Sequence, residues 1–158
     1  HQVGFVNRAV QAHYRIRTAL EIGKGRLLPE DKAMVDRQVK ELTHYLLFAG
    51  EAALPVPIAG DSLLKEEFLS TRRVTKAGNS LKDLDLESHL FRNRCSYMIY
   101  STVFHSLPEG FKKLIYLRLA KALASSPSDP EFSYLPTTEK VRIKAILNET
   151  LPGLPENW

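Results

Sequence analysis

The sequence predicts an all-α domain, an irregular bundle of about six to seven helices around one buried central helix near residues 95–107. Three observations carry that prediction. Apolar residues recur at three- and four-residue steps through most of the chain, which is the period of one helical face. Helix start and stop signals punctuate those runs, as in Pro29-Glu-Asp, Ser106-Leu-Pro-Glu and Gly23. Strict apolar and polar alternation, the mark of a half-buried strand, is not sustained anywhere.

The first helix runs from 3 to 22, with Phe5, Val6, Ala9, Val10, Ala12, Ile16 and Leu20 at helical steps. Gly23 follows it, the residue expected just past a helix C-terminus because a left-handed conformation there carries no side-chain penalty. Pro29, Glu30 and Asp31 open a second helix, since proline lacks a donor that would be unpaired anyway and the carboxylates meet the positive end of the helix dipole. Its stripe Val35, Val39, Leu42, Leu46, Ala49 is the cleanest amphipathic pattern in the chain. The stretch 54–60, with Pro55 and Pro57 in alternation, cannot be helical and reads as a rigid crossover.

Asp61 or Ser62 caps a short third helix to Leu69, with Leu64 and Phe68 four apart on one face. Residues 70–82 mix small, polar and basic side chains without helical period, so they predict a flexible basic surface loop. Ser80 and Asp83 have capping-box spacing and, with Leu84, Leu86, Leu90 and Phe91, predict a fourth helix. The fifth is the organising segment, where Cys95, Ile99 and Val103 fall on one stripe and Tyr97, Tyr100, Phe104 and Leu107 on another. Neither face suits water. The sixth carries Phe111, Leu114, Ile115, Leu119, Ala122 and Leu123 inward, and a last helix from about Thr137 uses Val141, Ala145, Ile146 and Leu147. Residues 152–158 form a nonhelical tail.

A chain of 158 residues is long enough to bury about two-thirds of its unfolded surface in one core, so residues 1–158 read as a single domain. The composition, 44% hydrophobic and 25% charged, is that of a folded globule rather than a disordered chain. A net charge of +4 without a dense cluster falls short of a nucleic-acid footprint. One cysteine excludes an internal disulfide and any multi-cysteine metal site within the chain. No apolar run is long enough to span a bilayer. The opening His1-Gln-Val-Gly-Phe already has helical character and lacks an initiator methionine, which predicts a fragment or C-terminal module of a longer protein.

Chemistry-bearing residues are sparse. Glu41-Leu-Thr-His44 puts a carboxylate and an imidazole on one helical face, the unit that di-iron bundles use. Such a centre needs the unit twice plus two further glutamates, and the sequence has it once; a polar rim beside Arg37 is the plainer reading. His13 lies on the apolar stripe of the first helix and His105 at the end of the fifth, either as ligands or as hydrogen-bonded boundary residues. Cys95 becomes a nucleophile if a base or a helix N-terminus lowers its pKa, with Arg92 and Arg94 helping to stabilise the thiolate, and otherwise fills space in the core. Tyr97 and Tyr100 either line a ligand pocket or pack as core rings. Arg72, Arg73, Lys76 and Lys82 bias the central loop toward anions. Asn148-Glu-Thr150 has the glycosylation spacing but falls in a helix. No nucleophile elbow, phosphate loop, dinucleotide fingerprint or H-E-x-x-H is present.

Several stretches resemble the C-terminal helical region of large, uncharacterised bacterial proteins, some of them exported. They are Cys95-Ser-Tyr-Met-Ile-Tyr-Ser, Phe104-His-Ser-Leu-Pro, Tyr116-Leu-Arg-Leu, Pro152-Gly-Leu-Pro, the run from Leu46 to Leu54 and the run from Gly78 to Leu86. The resemblance implies a bacterial module, periplasmic or exported, and assigns no site residue; composition leaves a cytoplasmic setting open. The expected function is a noncatalytic accessory or interaction module that holds a protein partner or an upstream domain, with no cofactor. One alternative is a haem- or iron-binding bundle in which His13, His44, His105 and Cys95 converge, with Tyr97 and Tyr100 lining the pocket. Another is binding of an anionic ligand or nucleic acid through Arg72, Arg73 and Lys76.

Overall fold

The computed structural model describes residues 1–156 and Trp158. Six α-helices follow in order: α1 (Gln2–Ile22), α2 (Lys32–Leu46), α3 (Ser62–Ser70), α4 (Thr102–His105), α5 (Glu109–Ala122) and α6 (Thr137–Thr150). Single 3-10 turns lie at Pro29–Asp31, Tyr97–Tyr100 and Pro130–Phe132. The class is all-α. Among the described residues the β pairing is limited to one isolated antiparallel bridge, Leu84 to Phe91.

The clean stripe of α2 packs as its spacing dictates. Val35, Val39, Leu42 and Leu46 are buried, and the helix lies against both α1 and α5. From α1 the buried stripe is Phe5, Ala9, Ala12, Ile16 and Ala19. Its alanines admit a close neighbour, and Val10, expected inward, faces water at 54% exposure. From α5 come Phe111, Ile115, Leu119 and Ala122. In α6 the core residues are Ile143, Ile146 and Leu147, while Val141, also expected inward, is 56% exposed. Gly23 ends α1 with φ −81° rather than left-handed. It is a glycine because a Cβ there would collide with the carbonyl of Arg26, and the left-handed residues are Lys24 and Gly25.

The segment 95–107 is buried as expected but is not one helix. Ser96 is extended (ψ 127°) and its Oγ accepts from the Met98 N–H; Ser101 is extended (ψ 152°) and its Oγ accepts from the Phe104 N–H. Two serine caps therefore break the apolar run into a 3-10 turn and the single turn of α4, because a short hydroxyl side chain offers the backbone an alternative to helical continuation. Cys95, Met98, Ile99, Phe104 and Leu107 still reach the core.

Residues 84–91 are likewise not helical. The Ser80 and Asp83 bonds form, with the Ser80 N–H donating to Asp83 Oδ2 at 2.8 Å and the Lys82 N–H to Ser80 Oγ at 3.2 Å, but they open a tight reversal. Leu86 is left-handed at φ 61°, and the Asp85 carboxylate accepts the Ser88 hydroxyl, the Ser88 N–H and the His89 N–H. The crossover pins to this turn through Leu54 N–H to the Ser88 carbonyl and Ile58 N–H to the Leu86 carbonyl, both 2.9 Å. Those three bonds to Asp85, led by the Ser88 hydroxyl, lower its carboxyl pKa to about 2. Their stabilisation is complete above the ordinary value of 3.8 and is lost as pH falls toward about 2. Urea denaturation across that window should show a steeper acid loss for the native chain than for Asp85→Asn; equal slopes would mean the turn contributes no pH-dependent stability.

Trp158 packs back against α6, with its indole N–H donating to Asn148 Oδ1 at 2.7 Å. The glycosylation-type asparagine is thus engaged by the nonhelical tail.

Candidate functional site

Four aromatic rings form a continuous wall: Phe48 just past the end of α2, Phe68 of α3, Phe91 of the reversal and Tyr97 of the 3-10 turn. Phe48 contacts Phe91 at 5.5 Å between ring centroids, Phe91 contacts Phe68 at 6.0 Å, and Phe68 meets Tyr97 edge-on at 5.3 Å. Edge-to-face rings at such distances attract beyond their buried area, so the wall is held in place by its own contacts. Gln2 fixes the far end by donating to the Tyr97 hydroxyl at 2.8 Å. His1 stacks between Tyr45 and Phe48 at 4.8 and 4.4 Å.

In front of this wall is an open apolar chamber of about 590 Å³, bordered by Val3 of α1, Ile58 of the crossover, Leu64 of α3, and Leu86 and Leu90 of the reversal. Polar groups are confined to a few positions, among them Asp61 and Lys65. Asp61 is already engaged, since its carboxylate caps α3 by accepting the Leu64 N–H at 3.1 Å. A volume in the range of about 300–1,000 Å³ with an apolar lining and a few convergent polar groups is the usual form of a small-molecule site.

Behind Tyr97 lies a second, polar hollow of about 280 Å³, lined by Thr71, Arg73, Lys82, Tyr97, Tyr100 and Ser101. Tyr97 is common to both spaces. The Lys82 ammonium stands 4.5 Å from the Phe68 ring centre and 5.0 Å from that of Tyr97, and it donates to the Phe68 carbonyl at 3.1 Å and to Thr71 Oγ1 at 2.5 Å. Desolvation lowers its pKa. The Arg73 guanidinium lies over Tyr100 at 4.5 Å and spends one N–H on the Thr150 carbonyl at 3.1 Å. Burial raises the Tyr100 hydroxyl to about 12, so it stays protonated, with Thr150 Oγ1 2.5 Å away.

The remaining residues singled out from the sequence are dispersed. Arg72 turns to Asp83 at 3.5 Å, and the Lys76 backbone N–H donates to Glu149 at 2.9 Å, so of the three anion candidates Arg73 alone reaches the hollow. Thr75, Ser80 and Leu81 of the same loop are buried. Glu41 is exposed and accepts a bond from Gln38 at 3.4 Å, whereas His44 points to Glu131, with Nε2 2.9 Å from Oε1. Glu41 and His44 thus face different partners, with Glu131 and its cations Lys40 and Arg118 on the Nε2 side of His44. His13 lines a separate shallow depression with Tyr14 and Arg17. His105 meets Phe104 edge-on at 5.9 Å between ring centroids, and desolvation, with smaller effects of Lys112 and Arg73, lowers its pKa below the ordinary 6.5. Among the described residues no three histidine, cysteine or acidic side chains are grouped to hold a metal ion.

Cys95 is fully buried, and burial pushes its thiol up to about 12. Neither neighbouring arginine supports a thiolate, since Arg94 donates to Glu139 and Arg92 is exposed. The residues that sequence reasoning missed are Phe91, Leu86 and Leu90, assigned to a helix, and Gln2. Their visible signal was the two-residue alternation of Leu84 and Leu86 beside turn-forming Asp85 and Ser88.

Fold and site together define a small helical domain with an apolar chamber and a basic hollow that share one lining tyrosine. No protein-family model, curated protein or solved structure matches the chain. No helix among the described residues is long and apolar enough to cross a membrane.

Proposed function

We propose that this chain is a noncatalytic helical module, an accessory part of a larger bacterial protein or assembly, and that it works by holding an apolar guest in the chamber beside Tyr97. The observation that carries this reading is the chamber itself: about 590 Å³ of apolar space against a wall of interlocked rings. Leu64 at 67% exposure and Ile58 at 46% give that chamber an apolar lip open to solvent, where a guest enters without unfolding anything. Binding rather than catalysis suits a lining that is mostly apolar and in which Asp61 and the Tyr97 hydroxyl already take part in structural bonds.

N-phenyl-1-naphthylamine, a neutral apolar dye whose emission rises in apolar surroundings, tests the reading directly. The native chain should bind it saturably. Leu64→Glu should weaken that binding by about tenfold or more, since a carboxylate at the lip must be desolvated by the guest, and Val141→Glu on the exposed side of α6 should leave it unchanged. Absence of saturable binding, or equal losses in the two variants, would overturn the proposal.

A further inference from the structure

We propose that the guest is an amphipathic anion, a single apolar chain that lies in the chamber with its carboxylate or phosphate head in the hollow between Arg73 and Lys82. This rests on the chamber being a binding site and adds the chemistry of what it takes. The two spaces share Tyr97, and Lys82 stands over the two rings, Phe68 and Tyr97, that floor the chamber. The cations thus lie next to a ring that also lines the apolar space.

The cations are available for such a head. An ammonium has three donors and a guanidinium five; Lys82 uses two, on the Phe68 carbonyl and Thr71 Oγ1, and Arg73 uses one, on the Thr150 carbonyl. The carboxylates nearby in sequence or space are committed elsewhere, Asp83 to Arg72 and the Ser80 N–H, and Glu149 to the Lys76 N–H. Neither Arg73 nor Lys82 forms an ion pair among the described residues. Stacking on Tyr100 fixes the guanidinium plane, which leaves its planar fork suited to two-point recognition of a carboxylate or phosphate. Nucleic acid fits less well, because Arg72 of the same loop is paired with Asp83 and the hollow borders an apolar space rather than a track of cations.

Isothermal titration of the native chain with dodecanoate, dodecyl phosphate, dodecan-1-ol and dodecyltrimethylammonium, each below its micellar concentration, tests the inference. At least one of the two anions should bind about tenfold or more tighter than the alcohol, and the cation should bind weakest. In the double variant Arg73→Gln/Lys82→Gln that preference should vanish while the alcohol binds as before, and Arg73→Lys should restore part of it. An alcohol that binds as tightly as both anions overturns the anionic head and leaves the chamber intact; failure of all four to bind overturns the chamber reading itself. The comparison among ligands on the native chain decides the matter even if the double variant does not fold, which circular dichroism would reveal.

Discussion

Replacing Glu139 with alanine is expected to destabilise the chain by about 3–5 kcal/mol, the cost of leaving one partner of a buried ion pair alone. Glu139 and Arg94 have side chains only 8% and 12% exposed and meet at 2.7 Å. The carboxylate also takes the Arg94 backbone N–H at 2.7 Å and its Nε at 3.1 Å, while the Nη2 of Arg94 that meets Glu139 also donates to the Tyr134 carbonyl at 3.2 Å. Hydrogen bonding to Glu139 raises the already high pKa of Arg94, against the opposing effect of burial. The guanidinium cannot escape its charge, so removing the carboxylate strands a cation and a backbone donor together. Urea denaturation measures the loss. The double replacement Arg94→Met/Glu139→Leu should recover most of it, because the pair's attraction is largely offset by the cost of desolvating both ions. A loss below about 1 kcal/mol in Glu139→Ala would show that solvent reaches Arg94 freely and that the pair is no keystone between the 93–95 segment and the start of α6.

Phe104→Ala is expected to cost about 3–5 kcal/mol through lost burial and the cavity left behind. Phe104 is fully buried and packs against Tyr116 of α5 at 5.8 Å between centroids. It is also held by backbone that no long helix supports, since α4 is a single turn begun by Ser101. Val141→Ala, on a residue that the spacing placed inward and the fold leaves 56% exposed, should change stability by no more than about 0.5 kcal/mol. The pair separates burial decided by tertiary packing from burial expected of periodicity. Similar losses at the two sites in urea denaturation would contradict the packing described here.

The candidate site was half legible. Tyr97, Tyr100, Arg73 and Lys82 drew notice as aromatic or basic residues, and they line one hollow. The chamber beside it was not legible, because its walls come from α1, the crossover, α3, the reversal at 84–91 and the turn at Tyr97, five segments spread along the chain whose approach no local pattern encodes. The histidines were conspicuous for the opposite reason. A lone imidazole is easy to see in a sequence, but its role depends on what faces it, and His44 faces Glu131, 87 positions further along.

By itself the sequence determined the helical class and the location of the main helices. Val35 to Leu46 carries enough three-and-four spacing to bury α2 on two neighbours, and prolines at 55 and 57 forbid helix through the crossover whatever surrounds them. Tertiary structure decided everything that depended on competition between near-equal local options. Between Cys95 and Leu107 the apolar period favoured one helix and the hydroxyls of Ser96 and Ser101 favoured two caps. The caps prevail where their backbone bonds combine with docking of the Ser96 N–H on the Leu46 carbonyl at 2.7 Å. Between Leu84 and Phe91 a capping-box pair was equally able to start a helix or a turn, and the carboxylate of Asp85, satisfied by three donors, closes the turn. A side chain's few tenths of a kcal/mol in helix propensity are outweighed by such bonds once they are sheltered by packing, and that shelter exists only in the folded chain.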